Sequence, residues 1–296
     1  MRKTLIAVAV AGLFAMPAVA QTGDPSKDAA APASPHTLTG NLGIYSSYRF
    51  RGIDQTFGKP ALQGGIDYSH SSGFYLGNWN SNVSSGAGMP DGNLEMDFYG
   101  GYKFSAGDFG FDLGAIYYYY PGSEAKVLST VRPNSGSVNN KEIYIGATWK
   151  FLSVKYFYSF DDYFSLRGFD DTPALGNTTK DTKGSSYLDF SASYDLGNGW
   201  GINGHVGLLN LENVKNGDYT DWKIGVTKDI SGWVFGLAYI DTNADGSCSK
   251  VATSSQPYCF ASSWSTVNGA PGVSNFGNDT KDAGRGTAVV SVSKSF

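Results

Sequence analysis

Apolar and polar residues take turns along most of this chain. Between residues 40 and 51, Leu42, Ile44, Tyr48 and Phe50 fall on one side, against Asn41, Gly43, Ser47, Arg49 and Arg51 on the other. The stretch 94–104 sets Leu94, Met96, Phe98, Tyr102 and Phe104 against Glu95, Asp97, Tyr99 and Lys103. Further on, Ile143, Ile145, Ala147, Trp149 and Phe151 oppose Glu142, Tyr144, Thr148 and Lys150, and Trp222, Ile224 and Val226 oppose Asp221, Lys223 and Thr227. A period of two places successive side chains on opposite faces of a strand. The pattern predicts twelve strands: 40–51, 61–69, 74–83, 94–104, 109–120, 142–151, 152–161, 185–196, 200–210, 219–229, 233–241 and 287–296. Most are close to the roughly 9–11 residues that a tilted strand needs to cross a bilayer. Only the third, "FYLGNWNSN", offers no firm choice of face.

The connections sort by length. After even-numbered strands they are short, as in "HSSG", "SAGD", "GNG" and "ISG". After odd-numbered strands they are longer and polar: 52–60, 84–93, 121–141, 162–184, 211–218 and 242–286. Tight turns at one end and long loops at the other mark an outer-membrane barrel, and a soluble sandwich has no reason to keep them apart. The expected fold class is therefore all-β, a transmembrane antiparallel β-barrel of about twelve strands spanning 39–296. An even strand number puts both chain ends on the periplasmic side.

The chain finishes on an alternating segment, "TAVVSVSKSF". Such a strand has to pair with the first, because an open sheet edge in lipid would leave backbone polar groups unsatisfied. Phe296 then falls at the inner interface with an aromatic girdle that includes Tyr68, Phe104, Trp149, Tyr194, Trp200 and Trp233. A terminal aromatic in this setting resembles the signal that the barrel-assembly machinery recognises, so outer-membrane lipids and that machinery are the expected partners.

Residues 1–20 have the parts of an export signal: Arg2 and Lys3, an apolar run from Leu5 to Met16, and the small-residue site Ala18-Val19-Ala20. Removing Arg2 and Lys3 would take the formal charge from −4 to −6, which argues against a nucleic-acid partner. Residues 21–38 are rich in Pro, Ala and polar residues and read as a disordered tail holding His36. The expected location is the bacterial outer membrane. With 39 Gly, 15% aromatic and 16% charged residues, the composition suits a Tyr- and Gly-rich barrel.

Candidate chemistry is sparse. Cys248 and Cys259 are the two cysteines, and in an exported chain they are expected to form a disulfide. Asp241, Asn243 and Asp245 with Gly246 begin like a calcium loop, but Ala252 stands where the twelfth-position acid belongs. His70 and Ser72 have the two-residue spacing of a barrel phospholipase, yet fall in a short turn with no evident third member. "GNGWG" joins two strands and reads as a turn. No cofactor, metal site or catalytic residue is expected.

If the apolar lists face lipid, the inward lists carry Arg49, Arg51, Asp67, Glu95, Asp97, Glu142, Asp189, Asp221 and Lys223, with His205 among them. Charges of both signs inside a barrel require water or mutual pairing. One reading makes Arg49 and Arg51 one side of a constriction facing carboxylates, with a transverse field that selects solutes. The other makes the same residues internal salt bridges that plug the barrel. Inward Gly and Ser residues, including Gly43, Ser47, Gly65 and Ser193, leave volume unfilled and favour the narrow pore.

One stretch is similar to a known family. Tyr48 to Gly52 ("YRFRG"), Gln55-Thr56 and Lys59 to Gly65 ("KPALQGG") resemble the N-terminal part of the TorF family of outer-membrane porins. The resemblance is specific over residues 43–83, and beyond them rests on strand spacing and "YYYYPG". It implies a passive channel for ions and small polar solutes, with no catalytic residues to carry over.

Overall fold

A computed structural model describes residues 34–125, 136–168, 180–248, 257–266 and 274–296. Twelve antiparallel strands close into one barrel: β1 (His36–Tyr45), β2 (Ala61–His70), β3 (Phe74–Asn82), β4 (Leu94–Ala106), β5 (Phe109–Tyr119), β6 (Asn139–Trp149), β7 (Leu152–Ser159), β8 (Ser186–Gly197), β9 (Trp200–Asn210), β10 (Tyr219–Ile230), β11 (Trp233–Thr242) and β12 (Thr287–Ser295). Each pairs with its neighbours in the chain, and β12 pairs with β1 from Asn41 opposite Ser295 to Tyr45 opposite Ser291. Gly40 and Phe296 add two backbone hydrogen bonds of 2.7 and 2.9 Å, so the seam is shut down to its last residue. The expected strand number, order and closure are all present.

The two faces differ as a membrane barrel requires. On β6, Ile143 and Ile145 point outward, 51% and 54% exposed, while the alternate residues Glu142 and Tyr144 are 0% and 9% exposed. Leu42, Ile66, Leu76, Phe98, Phe190, Ile224 and Val290 extend this apolar wall around the barrel. The arrangement inverts that of a water-soluble protein: apolar atoms are bare outside and charges are buried inside. An apolar wall of this kind suits contact with hydrocarbon, as in a transmembrane barrel. Turns of two residues, or three between β2 and β3, join the strands at the end where β1 starts and β12 finishes. Asn198–Gly199 and Ser231–Gly232 have positive φ at both positions, the I′ geometry that matches the strand twist.

The structure departs from the sequence expectation at both ends of β1. β1 starts at His36, so the presumed tail ends earlier; His36 stands opposite His70 in the β1–β2 ladder. Residues 1–33, with the export signal and the rest of the tail, lie outside the described residues. β1 also ends at Tyr45, six residues short of the predicted 51. The alternation runs on to residue 51 because the chain after Tyr45 turns inward and buries Tyr48 inside the barrel, with its ring on Trp79 at 5.5 Å. On β3 the face is ambiguous because Asn78 and Asn80 share the outward side with Phe74 and Leu76. Their amides are satisfied locally, Asn80 donating to Asn78 Oδ1 and Asn78 to the Asp97 carbonyl, while Trp79 points inward at 3% exposure.

Candidate functional site: a loop-filled lumen

The long-loop end of the barrel is narrowed by its own chain. After Tyr45, Ser46 exchanges hydrogen bonds with Val290 and the chain turns into the lumen. There it forms a two-residue hairpin, Arg49–Phe50 paired with Ile53–Asp54, with Arg51 and Gly52 at its tip. Both tip residues have positive φ, 47° and 79°. Arg51 is an uncommon residue for that conformation, and the surroundings hold it there. Its carbonyl accepts from the Tyr219 hydroxyl at 2.8 Å. Gly52 has no room for a side chain: a Cβ would lie 2.3 Å from Thr242 Cγ2 and 2.7 Å from Asp221 Cβ.

The Arg51 side chain reaches across the lumen. Nη1 and Nη2 donate to the two oxygens of Glu142 at 2.9 and 2.7 Å, a bidentate pair with both partners at 3% exposure or less. Four rings surround the guanidinium: Tyr187 (4.4 Å), Phe50 (4.9 Å), Phe157 (5.1 Å) and Tyr163 (5.8 Å). Glu142 accepts three further hydrogen bonds, from Asn140, Tyr118 and Ser159. Tyr163, on the loop after β7, also accepts from Arg51, and burial pushes its hydroxyl up to about 12, the Arg51 charge pulling the other way. A buried charge pair so fully bonded offsets its desolvation, and cutting one side leaves the other stranded.

Arg49 anchors the same hairpin to the last long loop. Nη1 donates to the carbonyls of Ala283 and Arg285 at 3.0 and 3.1 Å, and Nη2 lies 3.7 Å from Asp54. Lys281 reaches Asp54 from the loop side at 3.3 Å. That loop returns through a short ladder, Cys259–Ala261 paired with Thr280–Asp282, and packs Tyr258 and Ala283 against the interior. Cys248 and Cys259 are joined, as expected, with Cα atoms 5.3 Å apart. Residues 249–256 and 267–273 of this loop lie outside the described residues.

The remaining predicted lumen residues all face inward. Glu95 and Asp97 sit two apart on β4, both 0% exposed; Tyr48 donates to Glu95, while both Asp97 oxygens have no hydrogen-bond partner among the described residues. His205 lies between two carboxylates, 3.3 Å from Asp189 and 3.5 Å from Asp221. Asp67 accepts from Tyr99. Nearer the turn end, Lys155 donates to Asp112 at 2.8 Å and Tyr75 to the same carboxylate at 2.6 Å. The structure thus brings Arg51 and Glu142 into direct contact and keeps Arg49 apart from them. The expectation that both arginines ride on the first strand is corrected: both belong to the inturned loop.

Other expectations resolve locally. His70 Nδ1 and Ser72 Oγ are 2.7 Å apart, but in the exposed β2–β3 turn, and no carboxylate bonds His70 among the described residues. Asp241, Asn243 and Asp245 accept from the backbone N–H groups of Thr242, Thr220 and Ser247, so these three side chains cap backbone. Sequence reasoning missed the tyrosines that frame the lumen charges, Tyr48, Tyr118, Tyr163 and Tyr187, because their partners stand far off in the chain. The available signal was Gly52 between Arg51 and Asp54: a turn residue flanked by charges, in a segment already assigned to a strand.

One family model matches residues 29–268. The chain belongs to that family, described as bacterial proteins of unknown function (Gcw_chp). No curated protein matches this Gcw_chp chain. Among solved structures it is similar to the NanC porin, with 12% identity and a TM-score of 0.45 over 88% of this chain and 99% of that one. It is also similar to OmpT of Vibrio cholerae (9%, TM-score 0.40, 88% and 97% covered). A third is a mutant of the monoaromatic hydrocarbon channel TodX (9%, TM-score 0.41, 90% of each).

Proposed function

We propose that this Gcw_chp barrel is an outer-membrane, TorF-like porin that lets ions and small polar solutes diffuse passively, through a lumen narrowed by its own first loop. The observation that supports this reading most strongly is where the constriction comes from. The wall is a regular twelve-stranded cylinder, and the narrowing is made by a separate hairpin pinned through Arg51 to Glu142. Side chains filling the wall itself would close a barrel permanently, whereas an inturned loop narrows it and leaves a hydrated, charged lumen beneath. In this reading Arg49, Arg51, Asp67, Glu95, Asp97, Glu142, Asp189, Asp221 and Lys223 line the solute path.

Export through residues 1–20, insertion guided by Phe296 and a surround of outer-membrane lipid belong to the same proposal. Proteoliposomes loaded with an impermeant polymer test it: they should swell in isosmotic solutions of small sugars or amino acids, and stay intact with heat-denatured protein. A second reading, a non-conducting barrel, draws on the complete burial of Glu95, Asp97, Glu142 and Asp221. It predicts no swelling with any solute.

A further inference from the structure

Beneath the hairpin lies a cavity of about 90 Å³ between the inturned loop and the wall of β9 to β12, well above the ~10–15 Å³ that one water needs. Tyr48 and Arg49 line it from the loop, Gln63, Asn203, Lys223 and Ser291 from the strands. The lining contains two cations and no carboxylate, in a chain whose acidic residues outnumber its basic ones, 26 to 22.

Both cations keep capacity in hand. The Arg49 Nε is buried without a hydrogen-bond partner among the described residues, in a side chain only 4% exposed, although both terminal nitrogens are engaged. Lys223 forms no salt bridge among the described residues. Asp189 on β8 instead lies 3.3 Å from His205 and accepts from Ser191. A buried guanidinium N–H and an ammonium on one largely apolar void, with Asp54 the one carboxylate in an ion pair with either cation among the described residues, leave room for a guest of negative charge.

We infer that this cavity is an anion-binding site, taking a small oxyanion of the carboxylate class held between Arg49 and Lys223, with Asn203 on its wall. Transport of such a solute rests on the channel reading above; binding does not. The site would give the lumen a preference for organic anions over cations, because a solute entering here exchanges its water for fixed donors.

The test uses full-length protein in detergent micelles and ¹³C-formate, followed by broadening of the formate resonance on titration. Wild type should broaden the line saturably. Lys223→Met and Asn203→Asp, the second keeping side-chain volume, should each weaken binding about tenfold or more, as removing or opposing a nearby unit charge requires. Lys228→Met, which removes an outer-wall lysine lying over Trp200, should leave the titration unchanged. Heat-modifiable mobility on gels checks that each variant is folded. Saturable broadening lost in both cavity variants and kept in Lys228→Met supports the site, even where liposomes fail to swell and the channel reading falls. No saturable broadening by wild type, or equal broadening by Asn203→Asp, overturns it.

Discussion

Replacing Arg51 with Met keeps much of the side-chain length and removes the charge. The structure shows what would be lost: two charge-assisted hydrogen bonds to Glu142, one to Tyr163 and contact with four rings. Removing one partner of a buried ion pair costs about 3–5 kcal/mol, because the other charge is left unpaired. Glu142 would keep the Asn140, Tyr118 and Ser159 donors, which places the cost near ~3 kcal/mol. The barrel's own ladders do not pass through Arg51, so the cost should fall on the hairpin and leave the wall intact. At ~1.4 kcal/mol per factor of ten, opening of residues 46–57 should become on the order of 100-fold more frequent. Hydrogen exchange in micelles measures this directly: amides of Tyr48, Asp54 and Gln55 should exchange faster by that factor, and amides of β6 and β7 at their wild-type rate. Pairing Arg51→Met with Glu142→Met should restore part of the loss, since no lone charge then stays buried. Hairpin exchange within threefold of wild type in Arg51→Met would refute the latch, as would equal acceleration across the barrel.

Three further outcomes follow from the same geometry. Gly52→Ala puts a methyl into Thr242 and Asp221 at a positive φ, so it should accelerate hairpin exchange as Arg51→Met does, with Glu142 untouched. Replacing Cys248 and Cys259 together with Ser should loosen the last loop by about 2–3 kcal/mol, seen as faster proteolysis between β11 and β12, with barrel melting unchanged. Deleting Phe296 removes the Gly40 backbone pair and the ring that lies 2.7 Å from where a Gly40 Cβ would stand. It should lower the yield of heat-modifiable barrel in outer-membrane fractions; unchanged yield would exclude an assembly role.

The wall was legible in the sequence because a bilayer imposes its demand locally. Each strand has to present apolar side chains at every second position, and Ile143, Ile145 or Trp222, Ile224 show that without reference to any other strand. β3 resisted because Asn78 and Asn80 spend their amides on neighbouring backbone, a solution that depends on partners outside the segment. The site was legible only as a set of inward charges. Arg51 and Glu142 are 91 residues apart and meet because one loop leaves the wall, and alternation through Tyr48 and Phe50 disguised that departure as more strand. Which charges touch across a lumen is set by where loops turn in, and period-two patterning carries no term for it.

Single-channel recording in planar bilayers, wild type beside Arg51→Met, tests the central claim most directly. The account predicts small, resolvable conductance steps from the wild-type protein and larger or longer-lived openings once the hairpin is unlatched. A silent wild type together with a silent Arg51→Met, both folded by gel mobility, would contradict it.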